Sequence, residues 1–318
     1  MRTLTDRVAV VAGATRGAGR GIACMLGEQG ATVYCTGRSI RGRPATGNRP
    51  ETIEETAEMV NERGGTGISV QVDHTEEGPV KTLFDRVCQE QGRLDILVND
   101  VWGRDDLTEF GTPFWNLDIE KGALMLKRAV HAHIVTSRYG TPLLLEGNRG
   151  LIVEVTDGDF FGYRGNLFYD LAKISAIRLA FSMAWELRRY PHTVVAITPG
   201  FLRSEAVLDH FGVTEANWQD GAKKDPNFTA SETPFYVGRA VAALAADPTV
   251  KAKSGRVFSS GDIAAEYGFT DVDGGQPNWV RHFEKTYGRI YPRCDEGFYK
   301  HWLDGAIDIV FPDWPPVA

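Results

Sequence analysis

Residues 7–19 read RVAVVAGATRGAG, an apolar and largely β-branched run that ends in a glycine-rich turn. A short apolar run of this kind is typical of a buried parallel strand. The stretch from Gly19 to Gly30 then places apolar side chains between Ile22 and Leu26 on one face, with Gly30 where a helix would end. These residues predict a strand, a tight turn and a helix.

The same alternation of apolar runs and amphipathic stretches continues along the chain. It predicts an α/β fold, with about seven strands in one doubly wound parallel sheet and helices on both faces. The predicted strands cover residues 7–13, 32–36, 67–72, 94–98, 150–155, 193–197 and 256–259. The predicted helices cover residues 19–30, 51–63, 79–91, 121–145, 172–189 and 234–246.

Three segments do not follow this alternation. Residues 39–50 are basic and rich in glycine and proline, which predicts a loop. Residues 203–232 are polar and are expected to form a lid over the strand ends. We expect one main domain over residues 1–265 and a C-terminal extension over residues 266–318. The extension is rich in aromatic residues, so we expect it to pack on this domain or on a neighbouring subunit.

The composition excludes several classes of protein. With 42% hydrophobic and 24% charged residues, the chain of 318 residues reads as a folded protein without a membrane span. Its formal net charge of −7 offers no broad positive field to a nucleic acid. The four cysteines lack the spacing of a zinc site and are too few for a disulfide framework, so we expect no metal. These features, and the absence of a recognisable secretory leader, predict a cytoplasmic protein.

The glycine-rich turn has the features of a phosphate-binding site. Glycine lets the backbone approach a pyrophosphate, and the free N–H groups at a helix start would bind it. The candidate residues are Gly13, Thr15, Arg16, Gly17, Ala18 and Gly19. A tight turn between a strand and a helix also needs glycine when no ligand binds, so this spacing alone is weak evidence.

Polar residues at the ends of two later strands favour a dinucleotide. Asp73, followed by His74, ends the third strand, where a carboxylate can accept a hydrogen bond from an adenine amino group. Asn99 ends the fourth strand, beside the expected nicotinamide ribose. Asp73 is equally well explained as a helix cap with His74 and Thr75, and Asn99 as a plain turn residue.

The charge after the second strand favours NADP over NAD. A site for NAD normally has an acidic residue there to hold the ribose 2′-hydroxyl, whereas a 2′-phosphate needs cations. This strand ends at Gly37 and Arg38 without an acid, and Arg16 lies in the glycine-rich turn. Arginine forms forked hydrogen bonds to phosphate, and Arg41 or Arg43 would add to the positive electrostatic field around the 2′-phosphate. The alternative is that these arginines form a solvated loop face.

Tyr169 and Lys173 are spaced so that both side chains lie on one helix face. A phenol has a pKa of about 10 and is a poor acid or base at neutral pH. An ammonium group one helical turn away stabilises the phenolate, which lowers the pKa of such a phenol. This pair is therefore a candidate for proton transfer, although the same spacing also occurs by accident on surface helices.

In combination these motifs resemble the short-chain dehydrogenase/reductase family, over roughly residues 5–262. The glycine-rich turn, Asp73, Asn99, the Tyr169 and Lys173 pair, and Pro199-Gly200 followed by Ser204 stand in the order and spacing of that family. Details such as the stretch from Gly92 to Asn99 are closer to the branch typified by dehydrogenase/reductase member 1 than to the simplest members.

The resemblance implies a Rossmann-type subunit and NAD(P)-dependent hydride transfer on a small-molecule substrate. We therefore expect residues 1–265 to form an NADP-binding catalytic domain. It implies that Tyr169 donates or accepts the proton, that Lys173 binds ribose, and that Pro199, Gly200 and Ser204 border the nicotinamide. It also implies a homodimer or homotetramer. The apolar faces of the helix before Tyr169 and of the helix that carries it suit such pairing, although core packing explains these faces equally well.

This sequence departs from the family pattern at the position of a serine that hydrogen-bonds the reacting oxygen. Counted from the preceding strand, the position holds Asp157; counted back from Tyr169, it holds Thr156. An ionised Asp157 would oppose ketone reduction and favour a cationic substrate, whereas a protonated Asp157 would donate a hydrogen bond as serine does. The alternative is that Thr156 supplies the hydroxyl and Asp157 caps a turn.

Two further departures concern the neighbourhood of this position. An asparagine that the family places on the helix from residue 121 is absent, and we assign no role to Lys127, His131 or His133 near that position. The Asn99 turn continues through Trp102, which we expect to wall the substrate pocket together with Phe160 and Tyr163. An aromatic residue at position 102 is equally well explained as part of the core.

The sequence therefore predicts an NADP(H)-dependent oxidoreductase that reduces a carbonyl group of a bulky, partly apolar molecule. One alternative is an imine or iminium reductase that uses Asp157. Another is an NADP-binding regulatory or scaffold protein with reduced catalysis.

Overall fold

A computed structural model describes residues 2–45, 49–103, 105–288 and 293–294. The strands are β1 (Val8–Ala12), β2 (Thr32–Gly37), β3 (Thr66–Gln71), β4 (Ile96–Asn99), β5 (Leu151–Val155), β6 (Thr193–Thr198), β7 (Phe201–Leu202), β8 (Ser231–Glu232) and β9 (Val257–Ser259). Seven of these strands form one parallel sheet in the order β3–β2–β1–β4–β5–β6–β9, and β7 and β8 form a separate parallel pair. The predicted doubly wound sheet is confirmed.

Helices cover both faces of the large sheet. The helices are α1 (Gly17–Glu28), α2 (Ile53–Glu62), α3 (Glu77–Gln91), α4 (Ile119–Leu126), α5 (Ala132–Leu145), α6 (Leu167–Glu186), α7 (Glu205–Phe211), α8 (Pro234–Ala246), α9 (Ser260–Tyr267) and α10 (Trp279–Tyr287). Side chains of α1, α2, α8 and α9 share one hydrophobic core with the sheet, and those of α3, α5 and α6 share another. Both layers bury the β-branched strands, which explains their continuous apolar runs.

Two glycines bring α1 and α8 into close contact. A Cβ atom on Gly21 would lie 1.9 Å from the carbonyl oxygen of Pro234, and one on Gly238 would lie 2.4 Å from the carbonyl oxygen of Gly21. No side chain fits between these backbones. The contact fixes the direction of α1 and so the position of its N-terminus at the glycine-rich turn.

The region predicted as one helix over residues 121–145 contains three parts. Between α4 and α5, residues Lys127–His131 form a π-helical turn, in which one extra residue is accommodated without ending the helix. This turn lies in the stretch from which the family's asparagine is missing. The prediction of a single regular helix was therefore wrong at this point.

Helix α6 begins at Leu167, earlier than the predicted residue 172. The reason is Asn166, whose side-chain oxygen accepts a 3.0 Å hydrogen bond from the backbone N–H of Tyr169 and so caps the helix. This cap puts Tyr169 in the first turn of the helix and Lys173 in the second.

The segment predicted as a lid folds around a buried arginine. Arg203 is 1% exposed, lies over the ring of Trp218, and donates hydrogen bonds of 2.9 Å to Glu215 and Asp273. Short helices and the β7–β8 pair complete the segment, so it is a folded unit rather than an open loop.

The predicted boundary at residue 265 falls inside α9. In the described part of the extension, the ring of Trp279 in α10 lies 5.4 Å from that of Phe201 in β7. Arg293 forms ion pairs with Asp159 and Asp262. Most of the predicted extension, residues 289–292 and 295–318, lies outside the described residues, as do residues 46–48 of the basic loop.

Candidate active site

The predicted site residues gather at the carboxyl edge of the large sheet, where strand order reverses between β1 and β4. Ligands of open α/β sheets bind at this kind of crevice. The glycine-rich turn follows β1, Asn99 ends β4, Asp157 follows β5, and Pro199 follows β6. The fold thus brings together residues that lie far apart in the chain.

The glycine-rich turn requires its glycines. Gly13 has φ +92°, and a Cβ atom there would lie 2.4 Å from the carbonyl oxygen of Asp100. A Cβ atom on Gly19 would lie 2.4 Å from the carbonyl oxygen of Gly13. The space beside Gly17 is open by comparison, with the Cβ of Ser204 at 3.7 Å as the nearest contact. The start of α1 therefore leaves space beside Gly17 for the phosphate of a dinucleotide.

Other residues of this turn are more enclosed. Thr15 and Ala18 are buried, and the main-chain oxygen of Thr15 accepts a 3.1 Å hydrogen bond from Arg20. Arg16 precedes α1, and its Nε lies 3.5 Å from the carboxylate of Glu51. Burial lowers the pKa of Arg16. The cation predicted for a cofactor phosphate thus stands beside an acidic residue that the sequence did not single out.

A second cation reaches the same acidic residue. Arg49 donates a 2.8 Å hydrogen bond to Glu51 and a 2.9 Å hydrogen bond to Asp209 of α7. The Glu51 and Asp209 carboxylates stabilise the charged guanidinium and raise the pKa of Arg49, which burial alone would lower. Arg49 is a functional candidate that the sequence reasoning missed, because the loop that carries it had no predicted conformation.

Arg38 and Asp73 lie together at the ends of β2 and β3. Nη1 of Arg38 is 3.8 Å from Oδ2 of Asp73. Oδ1 of Asp73 accepts hydrogen bonds from the N–H and the hydroxyl of Thr75, at 3.0 and 2.8 Å, which is the cap considered as its alternative role. Burial would raise the pKa of Asp73, but these hydrogen bonds and Arg38 outweigh burial and lower it. Arg41 pairs with Glu58 on the surface of α2.

His74 and Asn99 are candidate cofactor-binding residues, and the side chains of both turn inward. His74 is 2% exposed, and its ring nitrogens lie 2.7 and 2.9 Å from the hydroxyls of Thr36 and Thr136. Burial lowers the pKa of His74 to about 3, so the ring is neutral. Its side chain has a structural role because β2 and α5 enclose it.

Asn99 belongs to a buried polar network beneath the site. Its side-chain nitrogen donates to Ser137 at 2.9 Å and to Glu154 at 2.7 Å, and Glu154 also contacts Nδ1 of His133 at 2.6 Å. Nε2 of His133 lies 3.1 Å from the carbonyl oxygen of Val101. Burial disfavours a charged ring, but Glu154 outweighs burial and raises the pKa of His133. The network fixes the turn that leads to Trp102.

The hydroxyl of Tyr169 donates a 2.5 Å hydrogen bond to Oδ2 of Asp157. The rings of Trp102 and Phe110 lie 5.5 and 5.4 Å from that of Tyr169 in edge-on arrangements. Nζ of Lys173 is 4.0 Å from the centre of the Trp102 ring and 5.6 Å from that of Tyr169. Trp102 therefore contacts both members of the predicted catalytic pair, and Phe110 is a neighbour that the sequence analysis did not name.

The two candidates for the serine position have different surroundings. Thr156 is buried, and its hydroxyl donates a 2.6 Å hydrogen bond to the main-chain oxygen of Lys173. Asp157 is exposed and reaches the Tyr169 hydroxyl. The geometry therefore favours the count from the strand, because strand β5 delivers Asp157 to the edge of the sheet.

Arg164 holds the segment that contains Asp157. Its Nε donates a 2.7 Å hydrogen bond to the main-chain oxygen of Asp157, and its Nη2 donates one of 2.7 Å to that of Phe160. Its Nη1 lies 3.1 Å from Oδ1 of Asp170, which follows Tyr169 on α6. This side chain, 3% exposed, therefore ties the Asp157 segment to the helix of Tyr169.

A chamber of about 310 Å³ adjoins Asp157. Its aromatic walls are Phe160, Trp279 and Phe283, and Pro199 and Gly200 line it where β6 ends. Among the described residues, the predicted pocket residues Trp102 and Tyr163 are not part of its lining. Trp102 packs on Tyr169 and Lys173 instead, and Tyr163 is 58% exposed.

A buried carboxyl group supports the turn at Pro199 and Gly200. Oε2 of Glu232 accepts hydrogen bonds of 2.9 Å from the N–H of Gly200 and 2.6 Å from the Ser260 hydroxyl. Burial raises the pKa of Glu232 to about 8. Ser204 caps α7 by accepting a 3.3 Å hydrogen bond from the N–H of Val207.

Within the described ranges, no group of histidine, cysteine or acidic residues has an arrangement that would hold a metal ion. In the same part of the chain, no helix combines the length and apolar character needed to cross a membrane.

Comparisons with known proteins agree with this geometry. The sequence model of the short chain dehydrogenase family matches residues 7–210. Dehydrogenase/reductase SDR family member 1 of Mus musculus is 36% identical over 276 residues, which are 85% of this chain and 85% of that protein.

Solved structures show the same fold. A protein from Xanthomonas campestris assigned as a dehydrogenase has a TM-score of 0.71 at 22% identity, covering 87% of this chain and 95% of its own. A protein from Shigella flexneri solved in complex with NADP has a TM-score of 0.66 at 20% identity, covering 81% of this chain and 98% of its own. From the family match and the mouse relative we conclude that this chain is an oxidoreductase of the short-chain dehydrogenase/reductase family.

Proposed function

We propose that this enzyme uses NADP(H) to reduce a carbonyl group of a bulky, partly apolar small molecule. The observation that carries the proposal is the position of Tyr169, one helical turn from Lys173 and hydrogen-bonded to a residue that lines the chamber. The aromatic walls Phe160, Trp279 and Phe283 suit an apolar substrate.

Carbonyl reduction requires a hydride at carbon and a proton at oxygen. NADPH supplies the hydride when it is bound. Tyr169 gives its phenolic proton to the substrate oxygen as negative charge develops there. The ammonium group of Lys173 favours the phenolate that remains, because opposite charges attract more strongly in a partly buried site.

The preference for NADP rests on the cations around the start of α1 and the end of β2. Arg38, Arg16 and Arg49 stand in this region, and β2 ends without an acidic residue. Forked guanidinium hydrogen bonds suit a 2′-phosphate. The Shigella flexneri protein of the same fold was solved with NADP, which is in keeping with this proposal.

The hydrogen bond between Tyr169 and Asp157 favours a second candidate reaction. A carbonyl oxygen must displace the Asp157 carboxylate to reach the Tyr169 proton, and an ionised carboxylate opposes the developing alkoxide. An iminium ion accepts hydride at its carbon and becomes a neutral amine, so it needs no proton from Tyr169. Its positive charge also pairs with a carboxylate. Reduction of imines or iminium ions is therefore the second candidate.

The test is oxidation of NADPH with a panel of ketones, quinones and cyclic imines. We expect turnover with at least one bulky ketone, and Tyr169→Phe to lower it by about a hundredfold or more. Tyr139→Phe is the matched control, since that hydroxyl bonds to Glu77 on the surface. Turnover of imines alone would select the second reaction. Tight NADPH binding without any turnover would replace both with a regulatory or scaffold role.

We also propose that the enzyme is a cytoplasmic homodimer or homotetramer. In support of an oligomer, Leu124, Ile134 and Leu171 expose 37%, 48% and 42% of their surfaces on α4, α5 and α6. The molar mass in solution, from light scattering, tests this, and a monomer at micromolar concentration would contradict it.

A further inference from the structure

Helix α7 lies against the glycine-rich turn and presents a carboxylate to it. Oε2 of Glu205 accepts a 2.9 Å hydrogen bond from the backbone N–H of Gly17, the first residue of α1. Oε1 of the same side chain lies 3.6 Å from Nη1 of Arg20. Glu205 thus takes an N–H donor and a cation at the start of a helix, which is the environment that binds phosphate groups.

A second carboxylate on α7, that of Asp209, contacts the cationic region formed by Arg49 and Arg16. Asp209 stands one helical turn after Glu205, so both side chains lie on one face of the helix. Its Oδ2 accepts a 2.9 Å hydrogen bond from Nη1 of Arg49. Arg49 and Arg16 share Glu51, so Asp209 reaches the cluster of cations proposed above for a 2′-phosphate.

NADP carries negative charge in two places, at the diphosphate and at the 2′-phosphate. The two carboxylates of α7 contact the donors that suit these two groups. We propose that Glu205 and Asp209 compete with the dinucleotide for its phosphate sites, and that they set its affinity and the discrimination between NADP(H) and NAD(H). This inference rests on the proposed use of a nicotinamide dinucleotide at this turn.

The competition has a separate consequence for each residue. A diphosphate and the Glu205 carboxylate cannot share the N–H of Gly17, because two anions at one donor repel each other. Both dinucleotides carry the diphosphate, so Glu205 weakens both. Asp209 competes only with a group at the 2′ position, so it weakens NADP(H) alone.

The experiment measures the dissociation constants of NADPH and NADH for the full-length protein and four variants, by nicotinamide fluorescence. For Glu205→Gln and Glu205→Ala we expect dissociation constants about tenfold lower for both dinucleotides. For Asp209→Asn we expect a value about fivefold lower for NADPH and an unchanged value for NADH. Asp220→Asn removes the same charge from an exposed position on the lid and should change neither.

The results separate this inference from the proposed function. If each dinucleotide binds the wild type and every variant with the same dissociation constant, the proposed competition by Glu205 and Asp209 is wrong, while the proposed dinucleotide site is supported. If neither dinucleotide binds the wild type or any variant, the proposed function fails and the inference fails with it. Weaker binding by both Glu205 variants, with melting temperatures unchanged, would mean that Glu205 supports the site and would also overturn the competition.

Discussion

The phenolic oxygen of Tyr169 lies 2.5 Å from Oδ2 of Asp157, so the hydroxyl proposed to protonate the substrate already donates to a carboxylate. Any substrate oxygen must replace that carboxylate before it accepts the proton. We therefore propose that Asp157 decides which substrates react, and that the choice of reaction depends on the charge of its side chain.

The first prediction concerns that charge. Asp157→Ser removes the negative group that opposes an alkoxide, so we expect kcat/KM for ketones to rise about tenfold and activity on cationic imines to fall. Asp157→Asn serves as a control because it keeps the size and removes the charge. Steady-state kinetics on both substrate types checks the prediction, and unchanged preference in both variants would remove Asp157 from the mechanism.

The second prediction concerns Arg164, a positioning residue. Arg164→Lys keeps the positive charge but loses the fork that reaches the main-chain oxygens of Asp157 and Phe160. We expect kcat to fall about tenfold to a hundredfold, because small displacements of reacting groups are costly. NADPH affinity should stay the same.

Arg178→Lys, at an exposed position on α6, is the matched control for Arg164→Lys. The decisive readout is substrate preference, since a displaced Asp157 should also change the ratio of ketone to imine activity. A lower melting temperature with unchanged kcat and preference would show a purely structural role.

The third prediction concerns cofactor choice. Arg38→Ala removes a cation from the end of β2, so we expect the dissociation constant of NADPH to rise about tenfold while that of NADH changes little. Arg41→Ala is the comparison, because that side chain is paired with Glu58 on the surface. Equal weakening of both dinucleotides would contradict a 2′-phosphate contact at Arg38.

The fourth prediction concerns acid stability. Burial lowers the pKa of His74 from 6.5 to about 3, so below pH 6.5 the unfolded chain binds a proton that the folded protein excludes. Stability should therefore fall as the pH drops from 6.5 towards 3, by about 1.4 kcal/mol per pH unit for this one proton. His133 has the opposite effect on stability. Because its pKa is raised in the folded protein, its protonated ring stabilises the fold at low pH, and this stabilisation is lost as the pH rises.

Urea unfolding between pH 4.5 and 7.5 tests the role of His74. We expect His74→Gln to give a shallower loss of stability with falling pH than the wild type, whatever its absolute stability. Because His133 is present in both proteins, the difference between the two slopes reports the replacement of the His74 ring, including the repulsion between this ring and His133. An identical slope would show that the buried ring does not resist protonation.

The fold was predictable because its signals are local. The apolar strands and the periodic helices are visible within short windows, and α8 has the predicted bounds of residues 234–246. The π-helical turn at Lys127–His131 was not predictable, because its residues are ordinary helix formers and the extra residue leaves no signal in the periodicity. The early start of α6 had a signal in Asn166, which precedes it as a cap.

The site was predictable only where its motif residues are local or follow a strand. Tyr169 and Lys173 are four residues apart, and Asp157 follows from the end of β5. The contacts between His133 and Glu154 and between Gly17 and Glu205 join residues that are 21 and 188 positions apart. No pattern along the chain predicts such contacts, because they depend on which strand ends lie next to each other in the folded sheet.

Helix α10 supplies two aromatic walls of the chamber, although it follows the last strand of the large sheet and contributes nothing to strand pairing. Replacing or lengthening this helix would reshape the chamber while leaving the Tyr169 and Lys173 pair untouched. We therefore expect changes in this appended helix to alter which molecules fit the chamber without altering the catalytic pair.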